Sequence, residues 1–507
     1  MGIRTVSQYL ESLRDGRKVF FDGEKVDDVT THPVLRGSIN LASMMYVMAE
    51  DPRYKDLLVT HTPEGEPYSF LFHPARSSDD LLRRREVIKA IGRTCLGLGA
   101  GARPTGTDVL NSLTVVSRRV DRQFKTKYSE RVEAFRRHLI KNDLSIVAAV
   151  TDVKGDRSLR PSDQKYHKDF YVHVVGERKD GIVVRGGKFH ISHTPSANEI
   201  FACPTRAMRE VDKDYAVAFA VPVNTPGVIV IVGTPGHGRG SIDDSPLWAC
   251  RYTAEPLLVF DNVFVPWERV FMHKEWQFAG DIANMFGTFH RLFADTYKYA
   301  EMEILTGVAM LLAEANGLED VSHVRDKLSF MPYVTETLNV LGEAACRYCV
   351  IEPDTKLAYP NPVYSNAAKF TYANNFHEMC KIVQDIGGGI IADFLSFQNL
   401  TSKDTGPYVE KYFRGKAEIP TEHRLRAIAL AADATQGSEQ ATTIHAEGSL
   451  ATQRMTMYRQ ADWERYKAIA RRAARIDDGS KHPLTANLLR FPPELPLPAP
   501  TKSRKRV

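Results

Sequence analysis

Two changes of periodicity, near residues 145 and 278, constrain the fold of this chain more than any other feature. Up to about residue 145, apolar residues recur mostly at helical spacing. Ser77-Ser-Asp-Asp80 is a helix-capping signal before Leu81, and an amphipathic run extends from Asp108 to Ile140. Short β-rich runs then take over: Phe170–Val175, Gly181–Arg185, Tyr215–Val221, Gly227–Val232 and Leu257–Phe260, punctuated by Pro, Gly, Asn and Asp. Helical spacing returns near Phe278, with Thr296–Asn316, Val324–Cys349 and Ala367–Ile386 long enough for a bundle. The order predicts an α+β protein: a mostly helical domain over 1–145, an antiparallel β-domain over 146–275 and a helical bundle over 276–475. Residues 476–507 carry Pro483, Pro492, Pro493, Pro496, Pro498 and Pro500, a density that forbids helix and sheet.

A chain of 507 residues exceeds one compact core, consistent with several domains. Its net charge of +5 is small for that length. Part of it is the terminal group Lys502, Arg504, Lys505 and Arg506, read as a solvated end, so no nucleic-acid partner is expected. No run of 18 apolar residues occurs, which excludes a spanning helix, and the N-terminus lacks an apolar signal core. Six cysteines in such a length make no disulfide framework, and a cytoplasmic location is expected.

Several motifs carry chemistry. Gly233–Gly240 and Gly97–Gly101 are glycine-rich, but neither sits in a strand–turn–helix unit of the dinucleotide-binding kind. Cys346-Arg-Tyr-Cys349, His377 and Cys380 would make a zinc site only if two helices brought all four together; buried thiols are the simpler reading. In Lys154-Gly155-Asp156-Arg157 a glycine permits close backbone approach to a ligand, and Arg157 offers a planar fork. A surface turn explains the same residues. Gly387, Gly388 and Gly389 follow Gln384 in a helical run, where each glycine costs about 1 kcal/mol relative to alanine. His290, Tyr297 and Lys298 are spaced to share one helix face.

Thr151–Ser158, Cys203–Arg209, Val259–Pro266 and Phe289-His-Arg291, with Gly16–Pro33 before them, resemble the flavin-binding family of 4-hydroxyphenylacetate 3-hydroxylase. Within it the likeness is greatest to the branch containing 4-hydroxybutyryl-CoA dehydratase, and it covers residues 15–475. The resemblance implies an acyl-CoA-dehydrogenase-like architecture, FAD between the β-domain and the bundle, and a homotetramer whose second subunit closes the pocket. It places Val150, Thr151, Lys154, Gly155, Asp156, Arg157 and Ser192 on the flavin. Gln384, Gly387 and Gly388 would meet the FAD of a neighbouring subunit, and Glu447, Gly448, Ser449 and Gln453 its ribityl and phosphate region.

In the dehydratase branch an iron–sulfur cluster is held by three cysteines and a histidine. His290 and Lys298 match that branch, but Tyr297 occupies one cysteine seat, and Ala100 and Pro104 occupy the others. No Fe–S cluster is expected, because such clusters need thiolates. Glu255 matches one carboxylate of the dehydratase pocket, while a second is expected to be replaced near Thr442. The residues by which the monooxygenase branch binds a phenol are also replaced, by Thr105, Val109 and Ala148.

The leading expectation is a two-component monooxygenase that receives reduced FAD from a separate flavin reductase and hydroxylates a phenolic small molecule. His290, Lys298, Glu255 and Tyr297 are its catalytic candidates, with Arg103 and Tyr297 binding substrate. A cluster-free FAD-dependent acyl-CoA dehydratase or isomerase is the second reading, and a non-catalytic flavin-binding scaffold the third.

Overall fold

The computed structural model describes residues 2–98, 101–233, 241–247, 254–436, 445–474 and 476. The proline-rich arm, residues 234–240 of the second glycine-rich segment, Ala100 and Thr442 lie outside the described residues. Residues 1–456 form one compact unit and 457–507 another. In the second, Trp463–Ala474 is an amphipathic helix. All packing described below is within the first.

Helices come first, two sheets follow, and a helical bundle closes the unit, the α+β order expected of an acyl-CoA-dehydrogenase-like chain. Ser77 caps Ser78–Thr94 through a reciprocal capping box with Asp80, as its spacing predicts. The amphipathic run from Asp108 to Ile140, by contrast, is broken into Ala102–Phe124 and Tyr128–Asn142. Lys125, at φ 58°, ends the first helix. The Asp121 carboxylate then accepts from Thr126 Oγ1 at 2.6 Å and from the backbone N–H groups of Tyr128 and Ser129, both at 2.8 Å. Satisfying the orphaned amide groups of the second helix in this way favours a break over a continuous helix.

The larger sheet has six strands in the order Glu24–Val26, Val19–Phe21, Val228–Val232, Leu257–Pro266, Gly181–Phe189 and His173–Arg178. Its smaller companion runs Val270–His273, Val217–Pro222, Glu199–Ala202 and Ile146–Ala149. Most neighbours are antiparallel, as expected, but Val19–Phe21 lies parallel to Val228–Val232, and Ile146–Ala149 parallel to Glu199–Ala202. Both parallel pairs join segments far apart in sequence, which a tight hairpin cannot do. The two N-terminal strands escape a reading by periodicity because three residues are too few to alternate.

Helix Ala279–Asn316 is 38 residues long and organises everything that follows. It packs on Ser78–Thr94, Ala102–Phe124, Ser322–Arg347 and Pro362–Gly387. Its C-terminal half buries Met302, Leu305, Val308, Ala309 and Leu312 in the bundle core. The first half is lined instead with buried polar side chains. Helix Ala102–Phe124 reaches the sheets at Gly106, where an added Cβ would lie 2.2 Å from the Ile146 carbonyl oxygen. Gly106→Ala is therefore expected to destabilise the protein by about 1–3 kcal/mol through overpacking. A urea titration with an unchanged midpoint would contradict that close approach.

Cys346 and Cys380 are buried among apolar neighbours, and burial pushes the Cys346 thiol up. All five cysteines described are free thiols, and no group of three or more potential metal ligands converges among the described residues.

Candidate active site

The central helix carries most of the site. His290 is stacked between Phe286 and Phe293 on its own helix, with ring centroids 4.7 and 5.4 Å away. Its Nδ1 lies 3.1 Å from Oδ2 of Asp108, a carboxylate with no solvent exposure on helix Ala102–Phe124. Oδ1 of the same carboxylate accepts from the Arg84 guanidinium at 2.6 Å. A carboxylate so placed makes Nδ1 the protonated nitrogen and leaves Nε2 as the basic one. Asp108 and Arg84 are absent from the sequence-based candidates. A charged residue inside the buried stretch Gly106–Leu113 was the available signal.

Two helical turns further on, Tyr297 donates to Oε1 of Glu447 at 2.5 Å. Lys298 Nζ lies 3.7 Å from Oε2 of the same carboxylate, beyond hydrogen-bond reach. That oxygen is buried without a hydrogen-bond donor among the described residues. Burial pushes the Glu447 carboxyl up, but Lys298, Lys369 and His290 together hold it below its ordinary value, so it is ionised at neutral pH. Lys369 comes from helix Pro362–Gly387; burial and then Lys298 bring its ammonium down to about 7. Tyr372, one turn on, donates to Glu301 at 2.6 Å and receives Lys298 over its ring at 4.5 Å. Burial first and the Glu447 charge second push the Tyr297 phenol well up, so it stays a donor. Arg291 is buried on the same helix, and burial lowers its guanidinium to about 10.

Glu447 stands at φ 55° and Gly448 at φ 99°, just before helix Leu450–Gln460. A non-glycine residue in this region carries strain of about 1–3 kcal/mol, which accompanies functional sites when neighbours enforce it. Gln453 fixes the turn by donating to the Gly448 carbonyl at 2.7 Å, and Ser449 lies 3.2 Å from the Thr452 hydroxyl. These contacts change the expectation for Glu447. It is not only a neighbour of a cofactor-binding turn: it is the carboxylate beside Tyr297 and Lys298. A buried carboxylate thus stands beside the central helix, five positions after Thr442, which lies outside the described residues.

A second group lies on the β-domain. Ser192 donates to Glu255, 2.7 and 2.9 Å from its two oxygens, and His190 Nδ1 is 4.0 Å from the same carboxylate. The adjoining loop is anchored by buried Lys188, whose Nζ donates to the Val150 and Cys203 carbonyls and, at 2.5 Å, to Asp152. Thr151 accepts from the Phe189 amide through its backbone carbonyl, and Lys154 turns the chain at φ 77°. Gly155 admits no side chain, since a Cβ would lie 2.4 Å from the Phe170 ring. Arg157 is exposed, whereas the Asp156 carboxylate is taken by the Ser158 amide and hydroxyl, so it shapes the turn. His193 is buried with its Nδ1 3.5 Å from Ser38, and burial brings its imidazole down from 6.5 to about 4. Neutral His193 therefore contributes stability that is complete above pH 6.5 and lost as pH falls toward 4. His193→Asn, which tolerates the same φ of 65°, is expected to flatten the stability profile in that window, measured by urea melts; an unchanged slope would contradict it.

Other expectations need correction. Arg103 cannot steer a substrate, because it is buried with its guanidinium committed to Asp143 at 3.0 Å and to the Tyr46 hydroxyl at 2.7 Å. It lies in the core between the rings of Tyr46 and Phe72. Gln384 donates to the Thr435 carbonyl at the end of helix Pro362–Gly387. There an added Cβ on Gly387 would strike Ile391 at 2.1 Å, and Gly388 takes φ 72° to end the helix. Helix termination gives both glycines a role within one chain. Two of the seats do not suit an iron–sulfur cluster, which needs thiolates: the Tyr297 hydroxyl is engaged by Glu447, and Pro104 has no ligating side chain.

An α+β architecture with a buried acid–base cluster is what this geometry defines, and comparison with known proteins gives it a family. Residues 5–272 match the model of the 4-hydroxyphenylacetate 3-hydroxylase N-terminal domain, and residues 279–475 match its C-terminal domain. The chain belongs to the 4-hydroxyphenylacetate 3-hydroxylase family. It is 32% identical to 4-hydroxybutyryl-CoA dehydratase/vinylacetyl-CoA-Δ-isomerase of Clostridium aminobutyricum, over 94% of this chain and all of that protein. The structure resembles an oxygen-tolerant archaeal 4-hydroxybutyryl-CoA dehydratase from N. maritimus, with a TM-score of 0.87 and 30% identity over 94% of this chain and 96% of that one. It also resembles the oxygenase component of 4-hydroxyphenylacetate 3-monooxygenase complexed with FAD, with a TM-score of 0.84 and 27% identity over 92% and 98% of the two chains. No helix among the described residues is long and apolar enough to cross a membrane.

Proposed function

We propose that this protein is an FAD-dependent enzyme that removes a proton from the carbon α to an acyl thioester, an acyl-CoA isomerase or dehydratase working without an iron–sulfur cluster. The observation that carries the reading is Oε2 of Glu447: a buried, ionised carboxylate oxygen with no hydrogen-bond donor among the described residues, beside two lysines. A general base needs such a lone pair, close to but not consumed by the cations that hold it ionised. Tyr297, donating to Oε1, fixes which oxygen points away from it. In an allylic shift the proton passes from Cα to Glu447 and returns to Cγ, so no external oxidant is consumed.

FAD would be held by Thr151, Lys154, Gly155, Ser192, Ser449 and Gln453, and when bound supplies an electron acceptor next to the reacting carbons. The Ser192 hydroxyl, whose proton is donated to Glu255, keeps its lone pairs to accept a hydrogen bond from that cofactor. A homotetramer, as the family resemblance implies, completes the assignment.

Anaerobic incubation of the FAD-loaded protein with vinylacetyl-CoA in D2O is expected to yield crotonyl-CoA carrying deuterium at Cγ. Absence of conversion of both vinylacetyl-CoA and 4-hydroxybutyryl-CoA would overturn the reading.

One observation favours a second reading, a two-component monooxygenase served by a flavin reductase. With Nδ1 held by Asp108, His290 presents a basic Nε2 suited to taking a phenol proton. Oxygen-dependent hydroxylation of 4-hydroxyphenylacetate with reduced FAD, lost in His290→Gln, is its signature.

A further inference from the structure

Arg291 is the one strongly basic side chain of the central cluster that the proposed chemistry does not use. It is 5% exposed, its Nε is buried without an acceptor, and no ion pair or hydrogen bond holds its guanidinium among the described residues. The surroundings are built around it. An added Cβ on Gly287, one turn earlier on the same helix, would lie 2.8 Å from Nη1. One on Gly448, beside Glu447, would lie 3.2 Å from Nη2. The guanidinium therefore lies close against both glycines. Glu447 attracts Arg291 only from beyond ion-pair distance and is shared with Lys298 and Lys369, while Glu301 is engaged by Tyr372.

Burying an ion without a partner is strongly unfavourable, so a cation kept in this state signals an anion supplied from outside the chain. The planar fork of arginine suits a carboxylate, which it can hold through two parallel hydrogen bonds. An enolate formed only during the reaction would not relieve the charge of the resting complex; a group already ionised would.

We propose that Arg291 anchors a carboxylate carried by the substrate at the end remote from the reacting carbon, so that the substrate is a carboxylate-terminated molecule. On the reading above, which this inference extends, that is the mono-CoA thioester of a dicarboxylic acid.

The test compares charged and neutral partners on two skeletons, binding each to the FAD-loaded protein by calorimetry. Glutaryl-CoA is set against pentanoyl-CoA, and 4-hydroxyphenylacetate against 4-ethylphenol. Wild type is expected to favour the carboxylate of at least one pair by about tenfold or more, the range of a hydrogen bond to a charged group. Arg291→Met is expected to abolish that preference and Arg291→Lys to retain part of it.

Without ligand, the melting temperature of Arg291→Met is expected to equal or exceed that of wild type, because a structural arginine would lower it. A preference confined to the phenol pair would leave Arg291 as the anchor and remove the acyl-CoA reading instead. No preference in either pair would overturn the proposal. So would a preference that survives in Arg291→Met, or a variant whose only defect is weaker FAD binding, which would assign the guanidinium to the cofactor's phosphates.

Discussion

Glu447→Gln is expected to lower turnover of an acyl-CoA substrate by about two to four orders of magnitude, the range removed with a positioned general base. The amide keeps the size of the side chain and can still accept from Tyr297, so the turn at His445–Ser449 should persist. What disappears is the basic lone pair on Oε2 and the charge opposing Lys298 and Lys369. Substrate binding should change far less than kcat, since the carboxylate acts on the proton in flight. Deuterium uptake from D2O into recovered substrate gives a direct reading: wild type exchanges the α-hydrogen and the variant does not. A variant that exchanged at the wild-type rate would place the base elsewhere, with Glu255 next in line because Ser192 already holds it in position.

The largest effect on stability is expected from Asp108→Asn. Asp108 has no solvent exposure and lies between Arg84 and His290. Neutralising one partner of a buried ion pair costs about 3–5 kcal/mol, because the other charge stays behind. Arg84 keeps further acceptors in the Leu71 carbonyl and the Thr107 hydroxyl, so the loss should fall at the lower end of that range. The same change withdraws the carboxylate that fixes the His290 tautomer, so any His290-dependent step should slow as stability falls. Urea melts and turnover measured on one preparation follow both. A midpoint within error of wild type would mean that the pair does not hold these helices together.

The periodic parts of the fold were legible in the sequence because long helices and alternating strands repeat their signal many times. Ser77 and the segments Thr296–Asn316 and Ala367–Ile386 fall within helices or at their caps, and Val324–Cys349 overruns its helix, capped by Tyr348, by one residue. Single contacts were less visible. Arg103 and Arg291 look alike in sequence, each an arginine in a helix near a candidate ligand seat. Only tertiary packing distinguishes one neutralised by Asp143 from one left without an acceptor. Glu447 was legible as a member of a functional turn, but a turn has no period, and its register against Tyr297 could not be counted along the chain. Asp108 was hidden differently: it is legible only as the start of an amphipathic run, while its partner His290 lies 182 residues away.

The length of helix Ala279–Asn316 bears on how such a site changes its substrate. His290, Arg291, Tyr297 and Lys298 project from one rigid rod, and from His290 to Lys298 it advances about 12 Å. The rod acts as a gauge: the spacing between Arg291 and Tyr297, the residue that orients Glu447, is set by residue count along one helix. Moving a functional side chain by a single turn would reset that gauge by about 5.4 Å with the backbone left as it is. New substrate lengths are thus reachable in this scaffold by exchanging side chains along one helix, with no loop rebuilt.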